Sequence, residues 1–150
     1  GRYFPMPNAT AFPNHVEDGY GGMLVVRSEI KSLCSHHHQP VSGVAYIGII
    51  AADTLIGLSK YTRIAQWCAR RGTLQEELNN EIARQISKAT GSKNVGVYIQ
   101  ATHGCCENRG IHPHSSLTQT TVLKGAFDKD QTTKKEFMDN IKLQQEFAPR

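Results

Sequence analysis

The sequence has no apolar run that approaches the roughly 18 residues a membrane-spanning helix requires. Its first ten residues, GRYFPMPNAT, lack the pattern of a secretory signal peptide. Glycine and proline are too sparse, at 13 and 6 of 150 residues, for a disordered or fibrous chain. We therefore expect a soluble, globular protein of the cytoplasm rather than a membrane-spanning, secreted or fibrous one.

Cysteine is also scarce, with four residues in the chain: Cys34, Cys68, Cys105 and Cys106. A secreted disulfide scaffold of this size would carry more. Cys34 and Cys105 lie close to histidines in the sequence, whereas Cys68 falls in an amphipathic stretch. This distribution favours metal ligation plus one buried thiol over two disulfide bonds, and it favours a reducing environment.

What the sequence does contain fits one compact domain of 150 residues and 16.6 kDa, with 39% hydrophobic and 20% charged residues. We interpret residues 1–150 as this single domain, with residues 1–21 as an irregular N-terminal arm. The formal net charge is +4 and the pI is about 9.0. This excess suggests an anionic ligand such as a nucleotide or phosphate, although the same excess also occurs as an incidental surface property.

Apolar periodicity predicts an alternation of strands and helices along the chain. The predicted strands cover residues 22–27, 28–33, 41–50, 95–102 and 117–123. The predicted helices begin at residues 58, 74 and 133, and the first two end near residues 72 and 91. Thr73 with Glu76, and Thr133 with Glu136, have the spacing of capping boxes. The order of elements predicts an α+β fold in which an antiparallel sheet carries helices layered on one face.

Two short motifs that combine cysteine with histidine form a candidate metal site. Cys34-x-x-His37 lies in a predicted loop, where thiolate and imidazole can both reach one ion, and His103-x-Cys105 follows a predicted strand. Cys34, His37 and Cys105 would supply three ligands and leave a fourth position for water, which is the pattern of a catalytic zinc site. Cys106 is the alternative fourth ligand of a structural site. The histidine run is also typical of a solvated loop.

Further polar residues near these motifs are candidates for proton transfer and for anion binding. His36 and His103 flank the ligands and belong to the residue type that titrates near neutral pH. A helix N-terminus that bears donors and cations is a natural anion site. The first predicted helix begins with three such residues: Ser59, Lys60 and Arg63. Arg109 adds a further guanidinium after the cysteines, although an ordinary solvated surface has the same pattern.

Taken together, these motifs resemble the GTP cyclohydrolase I family. The matching strings, in chain order, are CSHH at 34–37, IGLSK at 56–60 with RI at 63–64, LQE at 74–76 with Leu78, ATHGC at 101–105 and RGI at 109–111. Six single positions complete the match: Ser116, Thr120, Gly125, Phe127, Glu136 and Phe137. The resemblance covers about residues 25–137, and several such strings in the same order are specific.

The resemblance implies a tunnelling α+β fold, assembled into a ring of ten subunits with active sites at subunit boundaries. It implies a zinc ion held by Cys34, His37 and Cys105, and two proton-transfer residues, His36 and His103. It implies that guanine is read by Gln75 and Glu76, and that the triphosphate and ribose are held by Ser59, Lys60, Arg63 and Arg109. The implied reaction is hydrolysis of GTP, which opens the imidazole ring at C8 and releases formate to give 7,8-dihydroneopterin triphosphate. That reaction begins folate, pterin or 7-deazaguanine synthesis.

The sequence departs from the family pattern at three places. Ser35 stands where the family usually has Glu, and Glu77 stands where it usually has Arg. Only 33 residues precede Cys34, where the family usually carries a longer helical region, so the resemblance is to a short form. Two alternative functions remain open at this point: a zinc- and GTP-binding module without catalysis, which Ser35 favours, and a related tunnelling-fold enzyme acting on purines or pterins.

Overall fold

The computed structural model describes residues 11–13, 22–33, 40–52, 54–71, 75–103 and 116–147. The strands are β1 (Ala11–Pro13), β2 (Met23–Leu33), β3 (Pro40–Ile50), β4 (Thr54–Ile56), β5 (Val95–His103) and β6 (Ser116–Leu123). The helices are α1 (Leu58–Ala69), α2 (Gln75–Thr90), α3 (Ala126–Lys129) and α4 (Gln131–Phe147). No helix among the described residues is both long and apolar enough to span a membrane.

A four-stranded antiparallel sheet, in the order β2-β3-β5-β6, forms the centre of the fold. The predicted α+β class with an antiparallel sheet is confirmed. The short strands β1 and β4 pair separately, with Ala11 opposite Ile56, so the N-terminal segment that we expected to be irregular contains one strand.

Strand β2 is one continuous element of 11 residues, whereas the sequence predicts two short strands over the same segment. The polar residue Ser28 interrupts the apolar pattern there and suggests a break. In the structure Ser28 is buried beneath α1, and its hydroxyl lies 3.0 Å from the Thr62 hydroxyl of that helix. A hydrogen-bonded serine therefore occupies a core position without ending the strand.

Helices α1 and α2 cover one face of the sheet, as expected. Their apolar faces pack on alternate residues of β3 and β5, among them Ile47, Val97 and Ile99. Most of the predicted apolar face of α1 is buried, including Ile64 and Cys68, but Leu58 at its first turn is 63% exposed. The larger of the two hydrophobic cores lies between this helix pair and the sheet.

Helix α4 packs on the opposite face of the sheet, so the prediction of helices on a single face holds for α1 and α2 only. Gly48 and Gly96 lie opposite each other on β3 and β5 and leave this face without side chains at one place. The rings of Phe127 and Phe137 fill that space and meet edge to face, with centroids 5.2 Å apart. Hydrophobic periodicity identified Phe137 as a core residue but could not assign it to a face.

Helix α4 begins at Gln131, two residues before the predicted start at Thr133. The residue that caps it is Asp130, whose carboxylate accepts hydrogen bonds from the Thr133 hydroxyl at 2.7 Å and from the Thr132 N–H at 3.2 Å. Asp is a strong N-cap because its oxygen satisfies the open donors of the first turn. Thr133 thus assists the cap from inside the helix.

Helices α1 and α2 run in opposite directions along the sheet. The last turn of α2 lies near the end of β3, because Ser92 just beyond it donates a hydrogen bond to the Ile50 carbonyl at 2.6 Å. Thr54, four residues before α1, donates to the Thr90 carbonyl at 2.5 Å, which places the beginning of α1 near the same end. The N-terminus of α2 therefore points towards the other end of the sheet, where β5 finishes.

Candidate functional site

The strand ends that border both predicted metal-binding motifs lie together at one end of the sheet. Leu33 ends β2 and pairs with the first residue of β3, and His103 ends β5 opposite Val41. Because β3 lies between the two strands, the Cα atoms of Leu33 and His103 are about 10 Å apart, or two interstrand spacings. Cys34 directly follows Leu33, and Cys105 follows His103 by two residues. Both motifs therefore continue the chain from the same end of the sheet.

Several predicted site residues lie outside the described residues: Cys34, His36, His37, Cys105 and Arg109. The same holds for Ser35, for Cys106 and for Thr73 of the predicted capping box. For Gln75 and His103 the structure gives the backbone position. Within the described part of the chain, no three His, Cys, Asp or Glu side chains are grouped closely enough to hold a metal ion. That part of the chain thus offers no competing metal site.

The first turn of α2 presents the residues that the resemblance assigns to guanine. Gln75 is the first residue of the helix, and Glu76 follows with an exposed side chain. The Glu76 carboxylate lies near the positive end of the helix dipole, an arrangement that stabilises the helix. This turn points towards the end of the sheet where His103 lies.

Asn79, one turn further along α2, is a completely buried polar residue that we did not identify from the sequence. Its amide nitrogen donates to the Val97 carbonyl at 3.1 Å and to the Thr120 carbonyl at 3.2 Å. Its amide oxygen accepts from the Thr120 hydroxyl at 2.6 Å. Its spacing does carry a signal, because it stands four residues before Ala83 and seven before Ile86 on the apolar face of the helix.

The first two turns of α1 carry three of the predicted anion-binding residues. Ser59 and Arg63 are exposed and Lys60 is half-buried. Gly57 at the N-cap offers no side chain to the open N–H groups, and the first turn contains no acidic residue. Neither cation forms an ion pair with another described side chain. A positive helix end with unpaired cations is suited to binding phosphate groups.

Within one chain, the residues of α2 that we predict to read guanine and those of α1 that we predict to bind the anion lie on helix ends that point in opposite directions. The N-terminus of α2 is directed towards the end of the sheet that carries His103, whereas α1 begins near the Ile50 end. A single chain therefore does not gather the described residues of these two helix ends around one ligand.

Cys68 is the buried thiol that the sequence predicts. It lies on the inner face of α1 with 1% exposure, and burial raises the pKa of its thiol to about 12. A neutral, enclosed thiol is neither a good ligand nor a nucleophile. Cys68 is thus a core residue.

The fold itself defines the class of protein: this arrangement of strands and helices is a tunnelling fold. The structure is similar to the crystal structure of the archaeosine synthase QueF-Like in the apo form, with a TM-score of 0.56. The match covers 69% of this chain and 93% of that one at 13% sequence identity, so it speaks for the fold alone.

The sequence places the chain in a particular family of that class. The GTP cyclohydrolase I family profile matches residues 3–142, and the chain belongs to this family. It is 40% identical over 142 residues to GTP cyclohydrolase 1 of Flavobacterium johnsoniae, a match covering 94% of this chain and 62% of that relative. It is 39% identical over 132 residues to GTP cyclohydrolase 1 of Teredinibacter turnerae, covering 87% and 70%. The chain thus spans somewhat less than two thirds of the length of the first relative.

Proposed function

We propose that this chain is a zinc-dependent GTP cyclohydrolase, which hydrolyses GTP at C8, releases formate and forms 7,8-dihydroneopterin triphosphate. The observation that carries the proposal is that both cysteine–histidine motifs continue from the same end of the sheet in a chain of the GTP cyclohydrolase I family. The N-terminus of α2, with Gln75 and Glu76, points to that end as well.

The residues of the two cysteine–histidine motifs fit a zinc ion by the chemistry of their donors. Two thiols and one imidazole, from Cys34, Cys105 and His37, are ligands that zinc prefers, and three protein ligands leave a position open. The spacing of about 10 Å between the Cα atoms of Leu33 and His103 is compatible with side chains from both following segments reaching one ion. When bound, zinc supplies a Lewis acid that makes water acidic enough to attack near neutral pH.

The other residues of the proposed site move protons and hold the substrate. His103 protonates the purine N7 as the ring opens, and His36 transfers protons during the later ribose rearrangement and ring closure. Glu76 accepts hydrogen bonds from the N–H groups of guanine, together with Gln75, and so rejects adenine, which offers the opposite pattern. The triphosphate and ribose are held by Ser59, Lys60, Arg63 and Arg109 through charge-assisted hydrogen bonds.

The proposed active site is shared between neighbouring subunits of a ring, which we expect to contain ten chains in the cytoplasm. The opposite directions of α1 and α2 support this arrangement, because a neighbouring chain can bring its α1 end to the α2 end of the first. Folate, pterin or 7-deazaguanine synthesis would use the product.

Release of formate from GTP by the purified protein with zinc tests the proposal. We expect stoichiometric formate together with the fluorescence of the oxidised pterin product. Ser35, in place of the usual Glu, favours a second candidate, a zinc- and GTP-binding module. Binding of GTP without formate release at any zinc concentration would support that module and contradict the proposed catalysis.

A further inference from the structure

Asn79 connects three elements of the subunit through one buried side chain. Its amide nitrogen bonds to the carbonyl of Val97 on β5 and to that of Thr120 on β6, while its oxygen accepts the Thr120 hydroxyl. The side chain has no exposed surface. The bond to Val97 is buried and the two bonds to Thr120 are partly buried, so loss of the amide would remove three hydrogen bonds from a largely enclosed place.

These bonds determine how α2 lies on the sheet. Among the described residues, the other contacts of α2 with the four-stranded sheet come from apolar side chains such as Ile82 and Ile86, and apolar contact is not directional. The Thr54–Thr90 hydrogen bond holds the opposite, C-terminal turn of the helix. A helix held by apolar contacts alone can rotate or slide by a fraction of a turn at little cost. Hydrogen bonds require a narrow range of distances and angles. The two acceptors on different strands therefore fix both the rotation and the axial position of α2.

The position that Asn79 fixes is next to the proposed guanine reader. Glu76 precedes Asn79 by three residues, or about 4.5 Å along the helix axis. On the sheet side, Thr120 lies opposite Ile99, and β5 continues from there to His103. One buried amide thus joins the turn that carries Glu76 to the strand pair that leads into the metal-binding motif.

We infer that Asn79 is a positioning residue for guanine recognition: it holds the first turn of α2 at a set distance from the end of β5. The inference rests on the proposed function, since it assigns Asn79 a role in that same site. Asn79 does not touch the substrate. It acts through Glu76, whose carboxylate must meet two N–H groups of the base at hydrogen-bond distance.

Substitution of Asn79 by leucine tests the inference by removing the hydrogen bonds and keeping a side chain of similar size. We expect kcat/KM for GTP to fall about 10- to 100-fold, since small displacements of substrate-holding groups have effects of that size. We also expect the preference for GTP over ITP, which lacks the 2-amino group, to decrease. Thr120→Val, which removes the hydroxyl that bonds to Asn79, should lower the GTP to ITP preference by a smaller amount. Thr120→Ser keeps the hydroxyl and should show the wild-type preference.

Ser92→Ala is the matched control. Ser92 is 1% exposed, and its hydroxyl bonds to the Ile50 carbonyl and accepts from the Asn94 N–H at the other end of α2. This variant should lower the melting temperature, but its GTP to ITP preference should stay within about twofold of wild type, because Ser92 lies at the opposite end of α2 from the turn that carries Glu76. If Asn79 only stabilised the fold, Asn79→Leu and Ser92→Ala would both lower the melting temperature and both leave the GTP to ITP preference unchanged.

Hydrogen–deuterium exchange of the amides at 76–80 gives a readout that does not depend on activity. Each variant is measured at the same number of degrees below its own melting temperature. Under that condition the amides at 76–80 should exchange faster in Asn79→Leu than in Ser92→Ala. Unchanged exchange there, or an unchanged GTP to ITP preference in an active enzyme, would overturn the inference. Absence of formate release by the wild-type protein would instead contradict the proposed function, and the exchange data would still decide the role of Asn79.

Discussion

The Glu76 carboxylate has two chemically distinct roles open to it at the first turn of α2. It can stabilise the helix, because a negative charge at the N-terminus is worth about 0.3–1 kcal/mol when exposed. It can also accept the N–H groups of guanine, which would leave unpaired groups in the site when another base binds. The exposed position of the side chain permits both roles.

Glu76→Gln separates these roles, because the amide keeps the shape and removes the charge. We expect near-normal thermal stability, a fall in GTP turnover of about 100-fold or more, and no gain for ATP. Turnover and melting temperature measured on the same preparation provide the check. A lower melting temperature with normal GTP turnover would mean that Glu76 is a helix-stabilising residue and that guanine is read elsewhere.

The four cysteines are expected to behave in two groups. Cys34→Ala and Cys105→Ala should each lose the bound zinc, about one ion per chain, together with activity. Cys68→Ala should lose neither. In the native protein Cys68 should also resist alkylation at pH 8, since a thiol with a pKa of about 12 is ionised to only about one part in ten thousand.

Metal analysis and mass spectrometry after iodoacetamide treatment measure these outcomes. Protein unfolded in denaturant is the control for alkylation, because Cys68 should react there. If Cys105→Ala kept its zinc and Cys106→Ala lost it, the ligand would be Cys106 and not Cys105.

Packing of α3 and α4 on the sheet depends on two glycines that have no side chain to displace the aromatic rings. A Cβ atom at Gly48 would lie 2.7 Å from the Phe137 ring, and one at Gly96 would lie 2.9 Å from the Phe127 ring. Both distances are shorter than carbon atoms tolerate. The rings are enclosed and cannot move aside without loss of contact.

Gly96→Ala should therefore destabilise the protein by about 1–3 kcal/mol, as overpacking of a core does. Urea unfolding monitored by circular dichroism measures the change. Gly57→Ala is the control, because a Cβ there would meet only the Lys60 side chain at 4.0 Å. Equal stability of Gly96→Ala and wild type would show that α4 packs elsewhere in solution.

The cap of α4 makes the stability of this helix depend on pH. Hydrogen bonds from the Thr133 hydroxyl and from the Thr132 N–H lower the pKa of the Asp130 carboxyl below its ordinary value of 3.8. A carboxyl whose pKa is lowered in the folded state stabilises the fold at pH values above its ordinary pKa. That contribution is lost as the pH falls through the lowered value.

Asp130→Ala should therefore melt at a lower temperature than wild type at neutral pH, and the difference should shrink below about pH 4, where the carboxyl starts to be protonated. Melting temperatures from pH 2.5 to 7 provide the measurement. Glu146→Gln, which removes an exposed carboxylate near the other end of the same helix, is the control for the loss of one negative charge. A constant difference at every pH would mean that the charge of Asp130 contributes nothing.

At the scale of strands and helices, the sequence predicted those elements that a local residue pattern determines. Alternation of apolar residues gave β3, β5 and β6 nearly at their bounds, and helical spacing gave the buried faces of α1 and α2. The face on which α4 packs depends on Gly48 and Gly96, which are distant in sequence, and no local pattern contains that information. Ser28 and Asn79 were missed as core residues because their partners, Thr62 and Thr120, come from other elements.

For the whole molecule, the sequence motifs name a set of candidate site residues but do not give their arrangement in space. The chemical roles of these side chains stay a prediction. That both cysteine–histidine motifs leave the same end of the sheet follows from strand register, which the motifs do not contain. The opposite directions of α1 and α2 likewise separate Arg63 from Glu76 within a chain, and for this reason the proposed site takes its α1 residues from a neighbouring chain.

Complementation between defective subunits tests this sharing. Arg63→Ala and Glu76→Gln, each strongly impaired alone, should recover activity when the two chains are co-expressed with different tags and purified through both. An active boundary needs an intact Glu76 from one chain and an intact Arg63 from its neighbour. In a randomly mixed ring about a quarter of the boundaries meet both conditions, so we expect up to about a quarter of wild-type activity. Glu76→Gln co-expressed with Gln75→Ala is the control and should show no recovery, since both defects lie on the α2 side of every site. No recovery with Arg63→Ala, or full activity in a species of about 17 kDa by light scattering, would place the complete site within one chain.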